Sequence, residues 1–194
     1  MSDDLLAISP LDGRYAHETE VLRDYFSEFA YIRDRVRVEI AYLIALSHEV
    51  HIIRPLTAAE LGFLKSLTDA FSLDEAHQSK DFERITRHDV KAGESFLRAK
   101  LAPTSLSDIL EFLHFGLTSE DVNSLAQAME LRNSRDRTIL PAFDKIMELM
   151  AGFISATNQR PCWPELMASL QYLLLWGKKW LYSICVLREN AKSL

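Results

Sequence analysis

The chain has 194 residues, 48% of them hydrophobic, and a formal net charge of −6, which suits one domain or one plus part of another. That acidic balance argues against a general nucleic-acid binder, which presents a basic face. Nothing resembles a signal peptide or a clean membrane span, so a cytoplasmic setting without membrane contact is expected.

With only six Gly and six Pro, the interior reads as helix after helix, and the expected class is all-α. Residues 1–18 are irregular, with Ser9-Pro10-Leu11-Asp12-Gly13 a turn-rich lead-in. Leu22, Tyr25, Phe26, Phe29, Ile32, Val36, Ile40, Leu43 and Ile44 recur at helical spacing and predict one helix from about Glu18 to Val50. Pro55 closes it. Thr57 caps the next helix, with Leu61, Leu64, Leu67 and Phe71 inward, and a short helix follows Ser72. Thr86 and Asp89 have capping-box spacing, opening a helix to about Leu101 that Pro103 stops. Ser105 or Ser107 starts a short helix through Leu113. Gly116 then breaks the chain, and a long helix runs from Ser119 to about Ala156, kinked or restarted at Pro141.

Three polar segments stand out from this frame. In His114-Phe115-Gly116-Leu117-Thr118-Ser119-Glu120-Asp121-Val122-Asn123 a glycine and two hydroxyls sit where a helix begins. Helix starts leave backbone N–H groups unpaired and partly positive, so they accept phosphate or carboxylate. Thr118 with Asp121 is equally an ordinary capping box. In Thr86-Arg87-His88-Asp89-Val90-Lys91 a guanidinium, an imidazole, a carboxylate and an ammonium share one turn. An imidazole transfers protons near neutral pH and a carboxylate can orient it, while Arg87 and Lys91 suit an anionic ligand. In the opening segment, Gly13 allows a sharp bend before Arg14 and Tyr15. His17, His48, His51 and His77 have no spacing that argues for a site, and Ser119 lacks a G-x-S-x-G context.

Together S-P-L-D-G-R-Y, T-R-H-D-V-K-A and H-F-G-L-T-S-E-D-V-N resemble the adenylosuccinate lyase family of the fumarase/aspartase superfamily, from about Ser9 to Pro161. The resemblance implies a helical N-terminal domain over residues 1–112 and the first long helix of a central bundle over 113–161. It implies β-elimination of fumarate from adenylosuccinate, and from the related succinyl-aminoimidazole-carboxamide ribotide, with no metal or organic cofactor. For an intact member the resemblance further implies a homotetramer whose active sites draw on several subunits. Arg14 and Tyr15 would bind the nucleotide end of this small-molecule substrate. Arg87, His88 and Asp89 would line the site, His88 in a catalytic role, and Thr118 and Ser119 would hold substrate oxygens. A different superfamily lyase, acting on argininosuccinate or fumarate, and a non-catalytic helical interaction module are the alternatives.

After Pro161 the resemblance stops. All three tryptophans and both cysteines follow it, and the charge changes from 18 basic against 26 acidic residues to 4 against 2. The family continues with text close to M-L-A-R-T-H-G-Q-P-A, whose histidine is its general acid. The genetic code recovers that text when the last base of each codon is read with the first two of the next. Cys162 then Trp163 forces Leu, Trp163 then Pro164 forces Ala, and Met167 then Ala168 forces Gly, in register. Residues 162–194 are therefore expected to be out-of-frame translation. The general-acid histidine and the loop carrying the serine base are then missing from these residues, and the chain by itself is expected to be inactive.

Overall fold

The computed structural model describes residues 6–157; the out-of-frame reading of 162–194 lies outside the described residues. The described part is helical, without a strand. It comprises α1 (Arg23–Phe26), α2 (Glu28–His48), α3 (Ala58–Asp69), α4 (Leu73–Thr86), α5 (Asp89–Leu101), α6 (Ser119–Ser134) and α7 (Leu140–Thr157). Two 3-10 segments (Glu20–Leu22 and Ser105–Phe112) and a π-helical turn (Arg135–Ile139) complete it. The chain divides into two compact units after Phe143.

α2 is the axis of the first unit, packing on α1, α3, α4, α5 and α6. Its Ile32, Val36, Ile40, Leu43 and Leu46, spaced three or four apart, join Leu64, Phe96, Leu97, Leu101 and Leu106 in the main core. Each such side chain contributes roughly 1.5–3 kcal/mol by leaving water. The neighbouring stripe of α2 is mixed. Val38 packs with Val90 of α5 and with Val122 and Ala126 of α6, while Asp34, Arg35 and Glu39 are buried beside it. This second cluster draws the starts of α5 and α6 together against the middle of α2.

Several boundaries differ from the sequence expectation. The first long helix is interrupted at Ser27, whose extended backbone (ψ 160°) and side chain cap α2 through the Ala30 N–H. The helix after Ser72 is 14 residues, not short, and opens with a reciprocal Ser72–Glu75 capping box. Thr86 and Asp89 form no capping box. Arg87 turns left-handed (φ 52°) and ends α4, so the cap of α5 falls to His88, while the Thr86 hydroxyl donates to the His88 carbonyl. Residues Ser105–Phe112 form a 3-10 helix capped by Thr104. Near Pro141 the long helix widens into a π turn over Arg135–Ile139. Proline offers no N–H to the Arg137 carbonyl and its ring crowds that oxygen, which the wider turn relieves. Val122 is fully buried and Met129 half-buried beside it, whereas Leu125, Phe143, Ile146 and Met150 are exposed.

Arg54 ties the loop before α3 to the 3-10 segment. It donates to Glu60 (2.8 and 3.1 Å), to Asp108 (2.7 and 3.0 Å) and to the Ser105 carbonyl. Glu60 also accepts from the Thr57 N–H, closing the α3 capping box, and from the Ser105 hydroxyl. The Arg54 hydrogen bonds, and then the Thr57 N–H, hold the Glu60 carboxyl far below the usual carboxylate range. Glu130 behaves oppositely. One of its oxygens is buried without a hydrogen-bond partner, and burial, then the Asp34 charge, pushes its carboxyl up.

A carboxyl lowered on folding contributes stability that is complete above its unfolded value and lost as pH falls through the folded one. Unfolding by urea should therefore need progressively less denaturant below about pH 4.5, and Glu60→Gln should flatten this acid limb while lowering stability at neutral pH. An equally steep limb in Glu60→Gln would refute the assignment to Glu60. The buried Arg35 bridges α2 to Asp89. Arg35→Leu should cost on the order of 2–3 kcal/mol in the same assay. That is less than a fully buried broken pair, because Asp89 retains 45% side-chain exposure.

Candidate active site

The site is built where two helices begin side by side against α2. Arg35 is the joint. Its guanidinium donates to the Asp89 carboxylate at the start of α5 and, at 2.9 Å, to the side-chain amide oxygen of Asn123 in the first turns of α6. Its other face lies 3.8 Å from the centre of the Tyr31 ring. Burial pushes the Asp89 carboxyl up, but the Val90 N–H and Arg35 outweigh it and hold the group below its ordinary range.

With these starts fixed, His88 and Ser119 meet. As the N-cap of α5, His88 accepts the Lys91 N–H at Nδ1 (3.3 Å). In a neutral imidazole the other nitrogen then carries the proton. That nitrogen, Nε2, lies 3.3 Å from Ser119 Oγ, the first residue of α6. Thr118 is the N-cap of α6 in a complete capping box: its hydroxyl oxygen accepts the Asp121 N–H, and its own N–H and O–H donate to the Asp121 carboxylate. The Thr118 interactions, N–H first, lower the Asp121 carboxyl.

The loop before α6 is held from α2. Gly116 has φ 70°, a left-handed conformation that glycine adopts without strain. The Tyr42 hydroxyl donates to the Phe115 carbonyl at 2.8 Å. His114 also adopts a left-handed backbone (φ 58°), and both its N–H and its ring Nδ1 face the buried Glu39 carboxylate. Burial pushes the Glu39 carboxyl up, against the hydrogen bond and charge of His114.

Between these elements lies a cleft of about 350 Å³ lined by Thr86, His88, Val90, Lys91, Glu94, His114 and Ser119. The Lys91 ammonium is paired with Glu94 at 2.8 Å, and Arg98 holds the other Glu94 oxygen at 2.9 Å. Two imidazoles, two hydroxyls, an ammonium and a carboxylate thus line one small volume, a set suited to proton transfer beside an anionic ligand. Among the described residues no group of three or more His, Cys, Asp or Glu side chains could hold a metal ion.

The structure brings together His88 and Ser119 but not every candidate residue. Asp89 is turned to Arg35, and Thr118 is occupied with Asp121; neither lines the cleft. Arg87 is exposed at the turn between α4 and α5, also off the cleft wall. Arg14 and Tyr15 are exposed in the lead-in turns, the guanidinium 5.3 Å from its neighbour's ring centre. Gly13 is buried there without a positive φ. Sequence reasoning missed Arg35, Glu39 and His114. The buried charges of α2 interrupt its apolar stripe only after the helix has been placed, and His114 was read as part of a loop motif with no partner in view.

No protein-family model matches the chain. An adenylosuccinate lyase of Buchnera aphidicola from Schizaphis graminum is 41% identical over 175 residues, covering 84% of this chain and 38% of the relative. The adenylosuccinate lyase of Escherichia coli K12 is 38% identical over 173 residues (83% and 38%). That of Dictyostelium discoideum is 36% identical over 166 residues (82% and 35%). The chain thus spans well under half the length of the curated relatives it matches. By its sequence it belongs to the adenylosuccinate lyase family.

Proposed function

We propose that the described residues supply part of the substrate cradle of an enzyme that eliminates fumarate from adenylosuccinate and from the related succinyl-aminoimidazole-carboxamide ribotide, in purine nucleotide biosynthesis. The observation that carries this reading is the 3.3 Å approach of Ser119 Oγ to His88 Nε2. It joins two polar motifs, 31 residues apart in sequence, at the lip of one cleft. The start of α6 offers backbone N–H donors and a hydroxyl to substrate oxygens. His88 stands beside them as a proton-handling or orienting group. Arg14, Tyr15, Arg87, Asp89 and Thr118 belong to the proposed substrate surface through the family resemblance rather than through the cleft wall.

The family's acid and base regions are absent from these 194 residues in frame, so the chain by itself is inactive in this reading. Homotetramer formation belongs to the frame-restored protein. Exposed Phe143, Ile146, Leu149 and Met150 on α7 support such association. No described helix is long and apolar enough to cross a membrane. The tail, residues 162–194, is in this reading the product of a frame change near the Pro161 codon.

Two measurements test this. In a frame-restored protein, His88→Gln should lower kcat/KM for fumarate release about 10²–10⁴-fold, and Ser119→Ala roughly tenfold. The 194 residues alone should show no release above background. Wild-type rates in both variants, or an ordinary enzyme rate from the 194 residues, would sink the proposal. Resequencing the locus should find lyase text in the neighbouring frame after the Pro161 codon. An intact reading frame through Leu194 with no such text alongside would refute the frame change and leave the site reading standing.

A further inference from the structure

The two cleft imidazoles are anchored by partners of opposite character. His88 Nδ1 accepts from a donor, the Lys91 N–H, at 3.3 Å, while Asp89 Oδ1, which already accepts the Val90 N–H, stands farther off at 3.5 Å. His114 Nδ1 faces an acceptor, an oxygen of the Glu39 carboxylate. A backbone N–H can only donate and a carboxylate can only accept, so each partner fixes which ring nitrogen carries the proton when the imidazole is neutral. We propose that Glu39 is a positioning residue that holds His114 in the Nδ1–H form, so that the cleft presents one Nε2–H donor, on His88, and one Nε2 lone pair, on His114.

The geometry leaves Glu39 little freedom to do otherwise. The side chain is 3% exposed. One carboxylate oxygen accepts the His114 N–H at 3.2 Å while the other meets the ring. The left-handed backbone of His114 turns its N–H and ring toward the same carboxylate. The adjoining Phe115 carbonyl is tied by Tyr42, one turn along α2 from Glu39. A ligand in the cleft would thus meet a donor on His88, shared with Ser119 Oγ at 3.3 Å, and an acceptor on His114. This hydrogen-bonding frame is the same whichever reaction the cleft serves.

Glu39→Gln gives a discriminating test. The His114 N–H must still be accepted, which orients the amide oxygen toward it and leaves the amide NH₂ facing Nδ1. The amide then donates where the carboxylate accepted, and the ring must invert to the Nε2–H form. Long-range ¹H–¹⁵N spectra of the imidazoles in the full chain, at mildly alkaline pH where an ordinary imidazole is neutral, read this directly. The expected result is His114 in the Nδ1–H form and His88 in the Nε2–H form, with His114 alone inverting in Glu39→Gln. Finding His114 as Nε2–H in the wild-type chain would overturn the proposal whether or not the variant folds. So would a folded Glu39→Gln chain, with an unchanged amide spectrum away from the site, in which His114 keeps its tautomer. Glu39→Asp, which retains an acceptor, should preserve the wild-type form if it folds; an inverted ring there would also count against the proposal.

Discussion

A single buried guanidinium decides where the two functional helix starts lie. Arg35 is buried with its Nε on Asn123 of α6, one terminal nitrogen on Asp89 of α5 and its plane on the Tyr31 ring of its own helix. The planar, forked cation can satisfy two elements at once, which an ammonium on a flexible stem does less well. Apolar contact among Val38, Val90, Val122 and Ala126 brings α2, α5 and α6 together, but such contact is non-directional and tolerates sliding. The directional bonds of Arg35 select one register, at which His88 and Ser119 come within hydrogen-bonding distance. A buried charge of this kind adds modestly to net stability and strongly to the cost of any other arrangement.

The same local chemistry that ends and begins helices also equips the cleft. His88 caps α5 and Thr118 caps α6, so the groups that satisfy orphan backbone donors stand at the cleft or beside its wall. Capping fixes orientation as well as stability. The His88 ring is held by the backbone it caps, and the His114 ring by a carboxylate reaching across from α2. Left-handed backbone at Arg87, His114 and Gly116 supplies the abrupt turns between these elements. Only one of the three is glycine, so the neighbouring structure has to hold the other two.

Legibility followed the range of the interactions. The Thr118–Asp121 box, the stop at Pro103 and the break at Gly116 involve residues within one turn of each other, and the chain adopts them as read. The Thr86–Asp89 spacing was equally suggestive and failed, because Arg87 turned left-handed and moved the cap to His88. Pro141 correctly marked a disturbance, though a π turn rather than a simple kink absorbed it. The buried charges of α2 could not be assigned in advance. Asp34, Arg35 and Glu39 look like solvated helix residues until neighbouring helices cover them.

By itself the sequence determined the helical class, most helix starts, the three polar segments and the family they resemble. These depend on composition, on periodicity and on residues a few positions apart, where propensity and capping act directly. Tertiary structure alone decided which of those residues share a cleft. It turned Asp89 toward Arg35, set His88 against Ser119 and placed His114 on Glu39 from 75 residues away. Such pairings reflect how α2, α5 and α6 pack, and no local pattern encodes the distance between side chains that only a shared core brings together.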